Sequence, residues 1–241
     1  MAFVSLGAVY AQKTAALSDE QVKERLRFLE NTLHSGQLRA KTWWYGWISA
    51  YSAGAVVQGV LSKSHWNDTK IDNGQTVRDR GFAEDMLVGG ATLAVGVAGL
   101  LIDPFLPAYA PNRLRSMQEN TPEERRTKLL KTEELLRQCA RREKEGRGWR
   151  THLLNIGVNA AAGIVTVAAF HRPWSDGLVT FTTGEAVSLL TIFTQPRRAV
   201  RDLNDYEARY LGNHAAYIAE PSDRRWTFGL YPGGITLRLQ F

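Results

Sequence analysis

The chain has 241 residues, 44% of them hydrophobic, which is enough for a sizeable core and excludes a disordered protein. Lysine and arginine number 30 against 24 acidic residues, but the signs alternate along the polar segments, as in EERR at 123–126. Such alternation is typical of a solvated helix face, so nucleic acid is not expected as a partner. A single cysteine, Cys139, excludes an internal disulfide and any metal site built from cysteines.

Residues 1–17 form the first predicted segment. Its apolar run ends at Val9, Tyr10 and Ala11, and signal peptidase recognises small residues in such positions, although the run is short and lacks a basic leader. The segment is interpreted as the remnant of a secretory signal peptide, with an ordinary apolar arm as the alternative.

The main feature of the chain is one design that occurs twice, over residues 18–104 and 121–196, with a linker at 105–120. Each copy begins with a capping box, in which Ser18 precedes Gln21 and Thr121 precedes Glu124. Each box predicts the start of an amphipathic helix, ending near residue 41 in the first copy and near residue 146 in the second. An apolar helical hairpin follows each of these helices. The predicted fold class is therefore mainly α: two tandem helical repeats, each with a polar amphipathic helix and an apolar helical hairpin, and a short C-terminal β-hairpin.

Four apolar blocks make up the two hairpins. Residues 42–62 and 151–171 lack Asp, Glu, Lys and Arg and are long enough to cross a bilayer as helices. Residues 86–102 and 177–196 are marginal, and the last block contains Glu185. The sequence predicts membrane insertion, with a tightly packed soluble bundle as the alternative.

Small residues at spacings of four support close packing of these helices. The spaced residues are Ala50 and Gly54, then Gly90, Ala94 and Ala98, then Asn159 and Gly163. Such spacing lets helix backbones approach each other in lipid. Tryptophans at both ends of the first hairpin, among them Trp43 and Trp66, resemble the aromatic belts of membrane interfaces.

The distribution of charge predicts on which side of a membrane the two termini would lie. The basic segments lie at one end of both hairpins, and the positive-inside rule would then place both termini in the cytoplasm. A cleaved export signal would instead place the N-terminus outside, so the two signals disagree. The predicted location is the bacterial cell envelope in association with a membrane, with the periplasmic or outer-membrane side favoured over the inner membrane.

The tail at 197–241 changes its period. Apolar residues alternate on both sides of Pro232, Gly233 and Gly234, which predicts a β-hairpin. The last strand, ending at Phe241, resembles the terminal strand of bacterial outer-membrane proteins over about seven residues. One hairpin cannot close a barrel, so the alternative is a hairpin that packs on the helices or pairs with the sheet of a partner.

The hairpin tips are candidate metal ligands. His65 and Asp68 occupy the first tip, and His171 and Asp176 the second. If the copies pack about a two-fold axis, imidazole and carboxylate donors would converge as a metal requires. The favoured interpretation is structural, with the tryptophan anchoring each turn and the aspartate capping the next segment, and no metal site is predicted.

Polar residues inside the apolar blocks are the other candidates. An ionisable residue in a membrane is expected to face a cavity or a partner, and His152 is a candidate partner of Glu185. Gln58, Asn155 and Asn159 would then line a path beside Glu185. In a soluble bundle Glu185 would simply reach the surface.

The sequence contains no P-loop, dinucleotide-binding turn, HExxH motif or nucleophile elbow. We therefore predict a non-enzymatic structural or assembly component that needs no cofactor. Its expected partners are membrane lipid and other envelope proteins, with a second copy of the chain as a further candidate. A small transporter or channel-like protein is the first alternative, and a soluble metal-dependent enzyme at the His/Asp tips is the second.

Overall fold

The computed structural model describes residues 17–212 and the backbone of two strands near the C-terminus. Helix accounts for 80% of the described residues, so the mainly α class is confirmed. The tandem repeat stays a prediction. The predicted N-terminal segment lies outside the described residues except for its last position, Leu17.

The helices and strands are numbered in chain order. The helices are α1 (Asp19–His65), α2 (Gly81–Ile102), α3 (Ala110–Leu114), α4 (Pro122–Glu145), α5 (Trp149–Phe170), α6 (Trp174–Thr194) and α7 (Arg198–Tyr210), with a 3-10 turn at Leu106–Ala108. The strands are β1 (Thr69–Asp72), β2 (Gln75–Arg78), β3 (Arg225–Tyr231) and β4 (Gly234–Gln240).

Both predicted capping boxes are confirmed. The Ser18 hydroxyl accepts from the Gln21 backbone N–H at 3.3 Å, and the Gln21 side chain accepts from the Ser18 N–H at 3.0 Å. Thr121 and Glu124 make the same reciprocal pair, at 3.2 Å in each direction. Each pair satisfies two backbone donors that the first turn of a helix leaves free, which fixes where α1 and α4 begin.

The predicted end of the first polar helix near residue 41 is wrong. Helix α1 continues for 47 residues through the aromatic segment to His65. Its interior contains glycines but no proline, so no residue blocks the backbone hydrogen bonds. In the second copy the helix does break, because Gly146 ends α4 and Gly148 caps α5.

The first half of α1 packs with α4 and α7 around a hydrophobic core. The buried side chains come from every third or fourth position of each helix, as an amphipathic pattern requires. The core includes Val22, Leu29, Leu33, Leu129, Leu136, Cys139, Val200 and Tyr206. We call residues 17–40, 105–145 and 198–212 the polar-helix domain.

The predicted linker at 105–120 takes part in this packing. Phe105, Ala108 and Ala110 are at most 1% exposed, and Leu114 is 5% exposed. Phe105 and Ala108 also cluster with Trp44, where the polar-helix domain meets the apolar helices. This segment therefore joins the two parts of the molecule by packing as well as by connectivity.

The second half of α1 forms a four-helix unit with α2, α5 and α6. Helix α1 packs on α2, α5 packs on α6, and α2 contacts α5. The chain leaves the polar-helix domain along α1, returns along α2, leaves again along α5 and returns along α6. Both tips therefore lie at the end of the four-helix unit that is remote from the polar-helix domain.

Two antiparallel hairpins complete the described structure. Strands β1 and β2 extend the first tip and pair Asp72 with Gln75 across a turn in which Asn73 and Gly74 both have positive φ. Asn-Gly is the pair that such a turn favours. Strands β3 and β4 confirm the predicted C-terminal hairpin, with Tyr231 paired to Gly234. The predicted turn residues Pro232 and Gly233 lie outside the described residues.

Candidate functional site

The four-helix unit carries its large hydrophobic side chains on the outside. Val56 is 66% exposed, Leu154 71% and Val179 64%. Among the described residues, Leu38 and Ile71 are the exceptions to this rule, because every other exposed large hydrophobic side chain belongs to the four-helix unit. Water does not favour such a surface, whereas the hydrocarbon of a bilayer does.

Three helices are long and apolar enough to cross a membrane, namely α2, α5 and the helix that begins at Trp174. Of the two blocks with marginal length, one belongs to α2 and the other to α6. Their helices reach 22 and 21 residues because they begin before the blocks do. The second half of α1 contains the block at 42–62, which was predicted to be long enough to cross a bilayer. It is not among these three helices. Its tryptophan, tyrosine, serine and glutamine residues lower its hydropathy.

Glycines let the helices of each hairpin approach closely. A Cβ added at Gly163 of α5 would lie 2.6 Å from the Gly177 carbonyl oxygen on α6, and one added at Gly177 would lie 2.8 Å from the Gly163 oxygen. In the first hairpin, a Cβ at Gly90 would lie 3.4 Å from the Ala55 carbonyl oxygen. The backbones of α5 and α6 are thus in direct contact, as small residues permit in lipid.

Polar side chains of α6 make hydrogen bonds to neighbouring helices along most of the four-helix unit. Asn159 of α5 is 2% exposed and donates to the Glu185 carboxylate at 2.9 Å and to the Ser188 hydroxyl at 3.1 Å. Closer to the tips, the hydroxyl of Thr166 on α5 lies 3.3 Å from that of Thr180 on α6. These contacts give the buried amide and the carboxylate partners within the hairpin.

Nearer the polar-helix domain, α6 makes such hydrogen bonds with α1 instead of α5. The Tyr51 hydroxyl of α1 lies 2.5 Å from the Thr191 hydroxyl, and the indole N–H groups of Trp43 and Trp47 both donate to the Thr194 hydroxyl. We call Thr180, Glu185, Ser188, Thr191 and Thr194, with these partners, the polar seam. It joins α6 to α5 near the tips and to α1 near the polar-helix domain.

Glu185 is not paired with the candidate partner His152 in the structure. The partner is Asn159, which lies seven residues further along α5, or about 10 Å along the helix axis. His152 and Asn155 are half-buried nearer the polar-helix domain. Gln58 lies against Gly89 of α2, and its side-chain oxygen is buried without a hydrogen-bond partner. The structure therefore brings Asn159 to Glu185, and places Gln58 in the other hairpin.

The four candidate metal ligands of the tips are not brought together in the structure. His65 pairs with Asp68 at 2.7 Å, whereas Asp176 is held by Arg172 at 2.5 Å. His171 ends α5 in a left-handed conformation. Within residues 17–212, no group of three His, Cys, Asp or Glu side chains is placed to hold a metal. The described tips therefore give no support to metal chemistry.

An arginine that the sequence interpretation missed joins the two tips. Arg172 donates to the Gly81 carbonyl oxygen at 3.0 Å, and its guanidinium lies 3.6 Å from both Glu84 and Asp85 at the start of α2. One signal was present in the sequence, because Arg172 is the single basic residue between the last two apolar blocks and precedes Asp176 by one helical turn.

Buried polar groups also hold the polar-helix domain together. The Tyr206 hydroxyl donates to Glu133, whose side chain is 2% exposed. Lys128 lies 2.6 Å from Glu30 and 2.7 Å from Glu119, and so connects α1, α4 and the segment before α4. Buried charges of this kind are tolerated because each has a partner of opposite charge or a hydrogen bond.

Glu143 connects α4 to the start of α7. Its carboxylate accepts the Val200 backbone N–H at 3.1 Å, where α7 lacks a side-chain cap of its own. The Glu143 carbonyl oxygen accepts from Gln195 at 3.0 Å. Burial raises the pKa of Glu143 to about 7. The connection between α6 and α7 therefore depends on a carboxyl group that titrates near neutral pH.

Cys139 lies fully buried in the core of the polar-helix domain. Burial raises the pKa of its thiol to about 12. Since the thiolate is the reactive form, the group is chemically inert at neutral pH and acts as a small hydrophobic side chain.

Scans of family models, curated proteins and solved structures find no match to this chain. Its own geometry defines its class: a helical protein with three helices suited to lipid and a polar-helix domain at one end.

Proposed function

We propose that this protein is a non-enzymatic membrane protein of the bacterial cell envelope, which holds its polar-helix domain at the membrane surface and binds other proteins there. The outward-facing hydrophobic side chains of the four-helix unit carry this proposal. A soluble bundle of the same sequence would be expected to turn those side chains inward, as the polar-helix domain does.

The contact surfaces for partners would be the charged outer faces of α4 and α7, together with the terminal hairpin. Arg141 and Glu134 lie on the exposed side of α4, and Arg201 and Asp205 on that of α7. Strands β3 and β4 pair only with each other among the described residues, so their outer edges present backbone donors and acceptors. Other envelope proteins and a second copy of the chain are the proposed partners.

Two arguments bear on the side of the membrane. The polar-helix domain carries the basic excess, which favours the cytoplasmic side under the positive-inside rule. The export-signal interpretation of residues 1–17 favours the periplasmic side. Labelling of exposed cysteines from outside the cell distinguishes the two.

Alkaline carbonate extraction tests insertion itself. Membranes from cells that express the full chain are washed at high pH, and the protein is followed by immunoblot beside a known integral protein and a known peripheral protein. We expect the chain to stay in the pellet with the integral control. Release with the peripheral control would contradict the proposal and favour a soluble bundle.

The polar seam favours a second candidate function, that of a small transporter or channel-like protein. Glu185 and Asn159 would be the groups that meet a proton or a small cation between α5 and α6. Purified protein in sealed liposomes with a pH-sensitive dye tests this directly. Flux that is present in the native chain and lost in Glu185→Gln would favour transport. Equal leak in both proteins would leave the seam a structural contact.

A further inference from the structure

An open depression lies at the tip end of the four-helix unit, where β2 leads into α2. Its lining is mainly basic: Lys70, Arg78, Asp79, Arg80, Gly81, Glu84 and Arg172. The carboxylate of Asp79 lies 3.5 Å from Lys70, and Glu84 lies 3.6 Å from Arg172, so each acidic side chain of the lining already faces a basic one.

Two arginines of this depression keep their charge uncompensated. Within residues 17–212, no carboxylate forms an ion pair with Arg78 or Arg80. The guanidinium of Arg80 lies over the Trp66 ring at 5.1 Å, and its Nε is buried without a hydrogen-bond partner. Both guanidinium groups thus lack a counter-charge among the described residues, and an anion in the depression would supply one.

The position of the depression along α2 indicates which kind of anion it would meet. Helix α2 begins at Gly81, inside the lining, and extends for 22 residues, or about 33 Å, which matches the hydrocarbon core of a bilayer. Phe82 and Trp174 are exposed at the same end, where aromatic side chains of membrane proteins meet the headgroups. The depression thus lies at the level of lipid phosphates.

We propose that this depression binds the phosphate group of an anionic lipid in the leaflet at the tips, with Arg78 and Arg80 as its main contacts. The proposal rests on the membrane insertion argued above. Arg172 also lines the depression, but it is not a main contact because its charge is already matched by Glu84, Asp85 and Asp176.

The test uses the full chain in nanodiscs of phosphatidylcholine with a minor share of phosphatidylglycerol. Native mass spectrometry then measures how much phosphatidylglycerol each protein retains. Because one basic side chain near an anionic surface contributes roughly fivefold in affinity, Arg78→Gln should lower retention about fivefold and the double variant Arg78→Gln with Arg80→Gln about 25-fold. The matched control, Arg27→Gln with Arg39→Gln, removes the same charge from exposed positions of α1 in the polar-helix domain and should leave retention unchanged.

A second experiment distinguishes a lipid phosphate from inorganic phosphate as the ligand. Inorganic phosphate is added to the native chain in nanodiscs of phosphatidylcholine alone, and the melting temperature is compared with that in chloride. Stabilisation by phosphate without selective retention of phosphatidylglycerol would overturn the lipid as the source. Equal retention by all variants would overturn the site. A chain that does not enter nanodiscs at all would overturn insertion and the site together.

Discussion

Glu143 makes the polar-helix domain sensitive to pH, since burial raises its pKa from 4.5 to about 7. The folded protein then holds this proton more tightly than the unfolded chain does. The contribution of Glu143 to the free energy of unfolding should therefore be fully present below pH 4.5, fall as the pH rises to about 7 and be lost above it. The shift corresponds to a loss on the order of 3 kcal/mol.

Replacing Glu143 with glutamine should remove this dependence, because the amide oxygen still accepts the Val200 N–H without acquiring a charge. We expect Glu143→Gln to be more thermostable than the native chain at about pH 8 and similar to it at about pH 5, as measured by melting in detergent. Glu145→Gln, on the exposed side of the same helix, is the control and should melt like the native chain at both pH values. Parallel pH profiles for the native chain and Glu143→Gln would contradict the assignment.

The hydrogen bond between Tyr206 and Glu133 should matter more than a similar bond at the surface. Tyr206→Phe removes the hydroxyl from a carboxylate that is 2% exposed, which should lower the free energy of unfolding by about 2 kcal/mol. Tyr210→Phe removes a hydroxyl that donates to Glu24, whose side chain is 58% exposed, and should cost less than about 0.5 kcal/mol. Urea unfolding of both variants measures the difference, and equal losses would argue against a special role for the buried bond.

At the scale of elements, the contact between α5 and α6 depends on two glycines. Gly163→Ala should destabilise the hairpin, because the new Cβ would lie 2.6 Å from the Gly177 carbonyl oxygen and the helices would have to separate. Gly157→Ala is the matched control on the same helix, where an added Cβ meets nothing within 4 Å.

The control substitution should change the melting temperature in the opposite direction. Alanine in an open helical position favours the helix by about 0.5–1 kcal/mol over glycine, so Gly157→Ala should melt at or above the native temperature while Gly163→Ala melts below it. Melting of both proteins in the same detergent measures the order. If Gly163→Ala were as stable as Gly157→Ala, the backbones of α5 and α6 would not be in the contact described.

Local signals explain which elements could be predicted from the sequence. The starts of α1 and α4 were predictable because a capping box lies within four consecutive residues. The end of the first polar helix was not, because the change from charged to aromatic residues near Trp43 alters the surroundings of α1 without stopping its backbone. Contacts between elements were harder to predict. The partner of Glu185 depends on the alignment of α5 with α6, which the contact between Gly163 and Gly177 sets.

At the scale of the whole molecule, the tips and the polar-helix domain should lie on opposite sides of a membrane. Two single variants test this: Gln75→Cys in the tip hairpin and Lys131→Cys on α4. Both positions are exposed. Native Cys139 should not react, because its thiol is buried and its pKa is raised to about 12. The unsubstituted chain is therefore the control for background labelling.

We expect a membrane-impermeant maleimide to label only one of the two single variants in spheroplasts. Labelling of Gln75→Cys alone would place the polar-helix domain in the cytoplasm, as its basic excess suggests. Labelling of Lys131→Cys alone would place it outside, as an export signal requires. Labelling of both variants in sealed spheroplasts would contradict a membrane-crossing four-helix unit.

The unbroken helix α1 gives the molecule a mechanical property. Its 47 residues amount to about 70 Å of rod, of which about 35 Å extends beyond the four-helix unit into the polar-helix domain. No proline kinks this helix, so a change in the tilt of its second half is expected to move its first half as well. A bilayer that becomes thinner tilts the helices within it, and a tilt of about 10° would move the far end of α1 by about 6 Å. If the four-helix unit is inserted as proposed, the position of the polar-helix domain would change with the thickness of the bilayer.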